Sequence, residues 1–105
     1  MTLKEYQRAV DDWVQQYETP YWTPHEMYAR LGEEVGELGR LVNHLWGPKK
    51  KKASEKEQEL PGELADIVFT VICIANSQGI DLDEAMDAVI KKCYTRDSER
   101  FEKKS

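Results

Sequence analysis

Two clusters of carboxylates are the residues of this chain whose types and spacing could do chemistry. The first is Glu33, Glu34 and Glu37, in Gly-Glu-Glu-Val-Gly-Glu-Leu. The second is Glu63 and Asp66, in Gly-Glu-Leu-Ala-Asp-Ile-Val-Phe. Glu34 and Glu37 are three apart, and so are Glu63 and Asp66; on a helix that spacing puts each pair on one face, close enough to share a ligand. Asp66 leads into Ile-Val-Phe-Thr-Val-Ile-Cys-Ile-Ala, a run too apolar for a solvated helix. Carboxylates on a helix that must be buried need a compensating partner. The chain's own cations are expected elsewhere, which points to a hard divalent cation. Oxygen-only ligands select Mg²⁺ or Mn²⁺ over zinc. The converging carboxylates carry more charge than one divalent ion neutralises. Two or more ions are therefore expected, the arrangement that clamps attacking and leaving oxygens in phosphoryl chemistry.

Other chemistries fit less well. Di-iron carboxylate bundles pair a Glu with a His three residues on, and here that position holds Glu37 or Asp66. His25, His44, Cys73 and Cys93 are too scattered for a zinc site. A non-enzymatic helical interaction module with an acidic metal-binding face is the alternative. It leaves unexplained why the second cluster opens the most apolar helix.

The elements that must position these residues read as four helices. Thr2 and Glu5 form a capping box. Behind it Leu3, Tyr6, Val10, Trp13, Val14 and Tyr17 recur at helical spacing to about Tyr17. Thr23, Pro24 and Glu26 start a second helix, whose stripe of Met27, Leu31, Val35, Leu38, Val42 and Leu45 runs to about Trp46. Gly32, Gly36 and Gly39 gather on another side of it, and close approach of a neighbouring helix is the expected reason for them. The polar connection over residues 47–59 carries Lys49, Lys50, Lys51 and Lys52, read as a solvated loop or as a cationic arm over an anionic substrate. A third helix starts near Pro61 and ends by Gly79. Asp81 and Glu84 are expected to form a box for a fourth, with Leu82, Ala85, Met86, Val89 and Cys93 inward. Its distal face shows Lys92, Arg96 and Arg100 at steps of four. That stripe either holds the anionic tail of a substrate or pairs with Asp97 and Glu99 as an ordinary exposed face.

Length and composition frame the rest. A chain of 105 residues fits one domain over 1–105, and a core this small favours a homo-oligomer. A net charge of −5 argues against nucleic-acid binding. Both cysteines read as reduced core thiols. With no apolar signal region at the start, and an apolar run over 64–75 too short to span a bilayer, the expected setting is cytoplasmic, with no membrane partner.

The pattern Glu-Glu-x-x-Glu at 33–37, followed after a variable connection by Glu-x-x-Asp at 63–66, resembles the signature of the MazG-like all-α nucleotide pyrophosphohydrolases. That superfamily includes all-α dimeric dUTPases and dCTP pyrophosphatases. The likeness continues through Tyr21-Trp22-Thr23-Pro24, Val42-Asn43-His44, Ile74-Ala75-Asn76, Gly79-Ile80-Asp81-Leu82, and Lys92 with Thr95-Arg96-Asp97 and Arg100. It covers nearly the whole chain and points to a compact single-domain subgroup.

The resemblance implies an all-α, four-helix bundle-type fold, and a small chain with a glycine face and an exposed bundle edge is expected to form a homodimer or homotetramer. The resemblance also implies Mg²⁺-dependent hydrolysis of (deoxy)nucleoside triphosphates to monophosphate and pyrophosphate, in pool control or house-cleaning, with Mn²⁺ able to substitute. Glu34, Glu37, Glu63 and Asp66 would hold the metal, and Glu33 would be an outer ligand or, with Glu37, position the attacking water. Lys92, Arg96 and Arg100 would meet phosphates, and Asn76 would reach substrate or order the metal shell. Trp13, Trp22 and Tyr28 are candidates for a base platform, set against the core role that aromatics usually take. Leu60-Pro61-Gly62 stands where relatives often carry acidic helix formers, which predicts a shortened or kinked start to the third helix.

Overall fold

The computed structural model describes residues 1–48 and 59–104. Its four helices are α1 (Leu3–Val14), α2 (Pro24–Trp46), α3 (Leu60–Ser77) and α4 (Leu82–Thr95). Both N-terminal boxes form as expected. Thr2 Oγ1 accepts from the Glu5 amide while Glu5 accepts from the Thr2 amide, and Thr23 with Glu26 repeats the arrangement. Such a cap contributes about 1 kcal/mol. Pro61 falls in the first turn of α3, where its missing N–H costs nothing, and the helix begins at Leu60 without shortening. Gly79, at φ 67°, ends α3. Ile80 N–H donates to Ala75 and Gly79 N–H to Asn76, the paired bonds of a left-handed cap.

Three boundaries differ from expectation. α1 stops at Val14, and the chain tightens through bonds from Gln16 to Trp13 and Tyr17 to Val14. The apolar spacing thus outlasts the α-helix. Asp81 caps α4 by accepting from the Asp83 and Glu84 amides through one oxygen and pairs through the other with Lys4 of α1 at 3.4 Å, but the Glu84 side chain does not return to the Asp81 amide, so the box is half made. α4 ends at Thr95, so Arg96 is its C-cap and Arg100 lies in a following turn, tied to Asp97. The three-residue basic stripe is therefore not one helical face.

α3 is the central element, packed on α2 and α1, while α4 packs chiefly on α1. The buried apolar residues are Val14, Met27, Leu41, Ile72 and Ala75. Many residues expected inside are not. Val35, Val42 and Leu45 on α2 and Met86, Val89 and Cys93 on α4 are exposed, so Cys93 is no core thiol. The four helices do not close over one core within a single chain. The radius of gyration of 17.4 Å exceeds the roughly 13 Å of a compact domain this long. The accessible surface of 8634 Å² exceeds the roughly 6,100 Å² that size scaling assigns to 12.2 kDa. Gly32, Gly36 and Gly39 also face open space: a Cβ built on each meets nothing within 4 Å. The close helix approach expected of them is not made among the described residues.

The membrane expectation needs one correction. α3 is 18 residues long with mean hydropathy 1.4, enough by length and composition to cross a bilayer, although the apolar run inside it is shorter. It nonetheless serves as the packing centre of the fold, and carries Glu63 and Asp66 at its start.

Candidate active site

α2 and α3 bring three carboxylates together. Glu34 and Glu63 are buried and Glu37 is half-buried, and one oxygen from each lies within 4.8 Å of the others. Glu63 sits in the first turn of α3, where the helix dipole favours negative charge. Glu34 Oε2 and Glu63 Oε2 are buried without any hydrogen-bond partner. Leaving a charged oxygen without a partner is unfavourable, which disfavours the ionised form of both groups. Burial pushes the Glu34 carboxyl above its ordinary range; Arg30 opposes this, and Glu37, Asp66 and Glu33 add to it. Burial also raises Glu63, helped by Glu37, Glu34 and Asp66. Two orphaned oxygens in an all-oxygen donor set suit a hard divalent cation.

Asp66 and Glu33 are both exposed. They act on the cluster through their charge without joining its tight group. The expectation that the chain's cations lie elsewhere is corrected by Arg30, whose Nε stands 2.9 Å from Glu34 Oε1 one helical turn away. That pair was available from the i, i+4 spacing.

Glu34 also forms part of the wall of a cavity of about 600 Å³, within the range of small-molecule sites. The wall comprises Trp13, Val14 and Tyr17 from α1, residues 19–22 of the next connection, Met27, Arg30 and Glu34 from α2, and Asp66, Phe69, Thr70 and Cys73 from α3. The α3 residues recur at helical spacing, so one helix face serves both cavity and cluster. Trp13 meets Tyr17 and Phe69 edge-on, with centroids 5.2 and 6.1 Å apart. Thr70 is buried, and its hydroxyl donates to the Asp66 carbonyl. Burial raises the Cys73 thiol.

Tyr21 anchors the connection. Its hydroxyl donates to Asp11 Oδ1 at 2.6 Å and accepts from Asn76 Nδ2 at 3.0 Å. Asn76 Nδ2 also donates to the Gln7 carbonyl, and Asn76 Oδ1 accepts from Gln7 Nε2. Gln7, buried, reaches on to Ile80 and Leu82. The sequence signal for Gln7 is its place as a polar residue within the stripe Leu3, Val10, Val14.

The structure thus gathers Glu34, Glu37 and Glu63, with Asp66 and Glu33 beside them, and places Trp13 and Trp22 on the cavity wall. None of the three candidate aromatics is core; Tyr28 is 73 % exposed and outside the wall. Asn76 bonds inward to Gln7 and Tyr21. Lys92, Arg96 and Arg100 are exposed and do not line the cavity. Lys49, Lys50, Lys51 and Lys52 fall outside the described residues.

Comparison with known proteins supplies the context. The model of the MazG nucleotide pyrophosphohydrolase domain matches residues 22–101. The Bacillus subtilis (strain 168) protein YpjD is 45% identical over 103 residues, covering 98% of this chain and 93% of that protein. YvdC from the same strain is 31% identical over 96 residues, covering 82% and 91%. The crystal structure of Bacillus subtilis YpjD superposes with a TM-score of 0.83 at 44% identity, over 91% of this chain and 96% of that one. A structure described as the Bacillus-conserved MazG protein, a nucleotide pyrophosphohydrolase, gives 0.78 at 42% identity, over 91% and 93%.

Proposed function

The chain belongs to the MazG nucleotide pyrophosphohydrolase family, enzymes that hydrolyse a phosphoanhydride, and from that premise we propose that it converts (deoxy)nucleoside triphosphates to monophosphate and pyrophosphate with Mg²⁺ or Mn²⁺. One observation carries the reading: Glu34 belongs both to a carboxylate cluster with orphaned buried oxygens and to the wall of an aromatic cavity. Phosphates and nucleoside therefore have adjoining places.

Glu34, Glu37 and Glu63 would hold the cation, with Asp66 at the cavity edge. Bound there, a divalent ion would supply Lewis-acid activation of a water at neutral pH and would offset charge on the leaving pyrophosphate. Glu33 and Glu37 orient that water. Trp13, Trp22 and Phe69 offer faces for the base, and Tyr21, fixed by Asp11 and Asn76, holds the connection that closes the cavity. Asn76 then acts on substrate through Tyr21.

The assembly is a homodimer or homotetramer in this reading. Support comes from the exposed apolar faces of α2 and α4 and the unfilled glycine side of α2. Lys92 and Arg96 then meet the triphosphate at the cavity of a neighbouring copy, since they do not line their own. The test is a panel of canonical and modified nucleoside triphosphates with Mg²⁺, scored for pyrophosphate against phosphate.

A further inference from the structure

Arg30 is the sole cation among the described residues that line the cavity. Its position on α2 is informative. Met27, Arg30 and Glu34 all contribute to the wall, and at 1.5 Å rise per residue they span roughly 10 Å of helix, with Arg30 between the other two. Met27 lies toward the Trp22 end of that span and Glu34 at the carboxylate end. A nucleotide with its base among the aromatics and its phosphates at the cluster must pass Arg30.

The ion pair itself reads as replaceable. It is made through Nε, and the forked end of the guanidinium is the part that matches phosphate bidentately. Arg30 is half-exposed, at 51%, while Glu34 is buried, so the arginine can swing and the carboxylate cannot leave. A divalent ion on Glu34 would put two cationic groups side by side, and an anion relieves their repulsion.

Resting on the functional reading above, we propose that Arg30 is a phosphate-binding residue that exchanges partners: it pairs with Glu34 while the cluster is unloaded, and holds the phosphate chain of the substrate once the cluster takes its cation. It is a charge reserve for Glu34 in the first state and a substrate clamp in the second.

The test measures binding, without turnover, in wild type, Arg30→Gln and Arg30→Lys. Calorimetry with Mn²⁺ alone should show Arg30→Gln binding the ion at least as tightly as wild type, because a competing cation is gone. With Mn²⁺ saturating, inorganic pyrophosphate should bind Arg30→Gln about 10- to 100-fold more weakly, and Arg30→Lys in between. Equal pyrophosphate affinity in wild type and Arg30→Gln overturns the inference. So does weaker Mn²⁺ binding by Arg30→Gln, which would make Arg30 a support for Glu34 only. A wild-type protein that binds Mn²⁺ but neither binds pyrophosphate nor releases it from any triphosphate overturns the functional reading together with this inference.

Discussion

Asn76 Nδ2 donates to the hydroxyl of Tyr21 across 3.0 Å, joining the C-terminal turn of α3 to the connection between α1 and α2. The Tyr21 hydroxyl donates to Asp11, and burial, helped by this bond and partly opposed by the Asn76 one, raises the tyrosine to about 12. Tyr21 thus remains a hydroxyl at any working pH, able to donate and accept at once. Tyr21→Phe removes both bonds and frees the cavity wall at residues 19–22. We expect a stability loss of about 1–3 kcal/mol in denaturant titration, and a KM increase larger than any fall in kcat. Equal metal affinity in variant and wild type would confirm that the effect is on the wall.

Acidity should stabilise the metal-free protein. Burial keeps protons on Glu34 and Glu63 at pH values where the unfolded chain has released them. The folded state then binds more protons, so stability falls as pH rises from 4.5 through the raised values. Saturating Mg²⁺ should flatten or reverse that slope, since the cation favours the ionised forms. Melting temperatures between pH 4.5 and 8, with and without Mg²⁺, measure both slopes.

Glu63→Gln isolates one ligand. Arg30 already offsets part of the charge on Glu34, whereas none of the groups acting on Glu63 is a cation. Without metal the variant should melt no lower than wild type. It should lose most of the Mg²⁺-induced rise, which for wild type at one hundred times Kd corresponds to about 2.7 kcal/mol. An undiminished rise would remove Glu63 from the ligand set.

Much of this was legible in the residues. Capping boxes at Thr2 and Thr23 fixed two helix starts, and the three-residue spacings of Glu34 with Glu37 and of Glu63 with Asp66 marked one face on each of two helices, because both depend on interactions within a turn or along one face. What was not legible depends on pieces distant in sequence. The α4 stripe of Met86 and Val89 has the period of a buried face, yet periodicity does not say whether the covering surface belongs to the same chain. The Gln7–Asn76 contact links residues far apart along the chain, and each looks like an ordinary polar residue alone. Arg30 is readable from its i, i+4 spacing to Glu34, a pairing that lies within one helical turn.

The proposed sharing of the site between copies can be tested by mixing. Glu37→Gln and Arg96→Ala homo-oligomers should each show activity at least tenfold below wild type, about 1.4 kcal/mol or more of lost transition-state stabilisation. Unfolded and refolded together, they should recover a fraction of wild-type activity, because some cavities then combine intact carboxylates with an intact Arg96 from the neighbour. No recovery, with mixed oligomers verified by mass, would place Arg96 outside the shared site.

Hydrolysis of a nucleoside triphosphate held beside Glu34, Glu37 and Glu63 leaves its signature in the products. The most direct measurement is product analysis across a triphosphate panel with Mg²⁺, for wild type and Glu37→Gln at equal helical content. Monophosphate and pyrophosphate in equal amounts from at least one triphosphate, lost in chelator and reduced at least a hundredfold in Glu37→Gln, is the predicted result. Diphosphate and phosphate as products, or pyrophosphate release unchanged in Glu37→Gln, would contradict it.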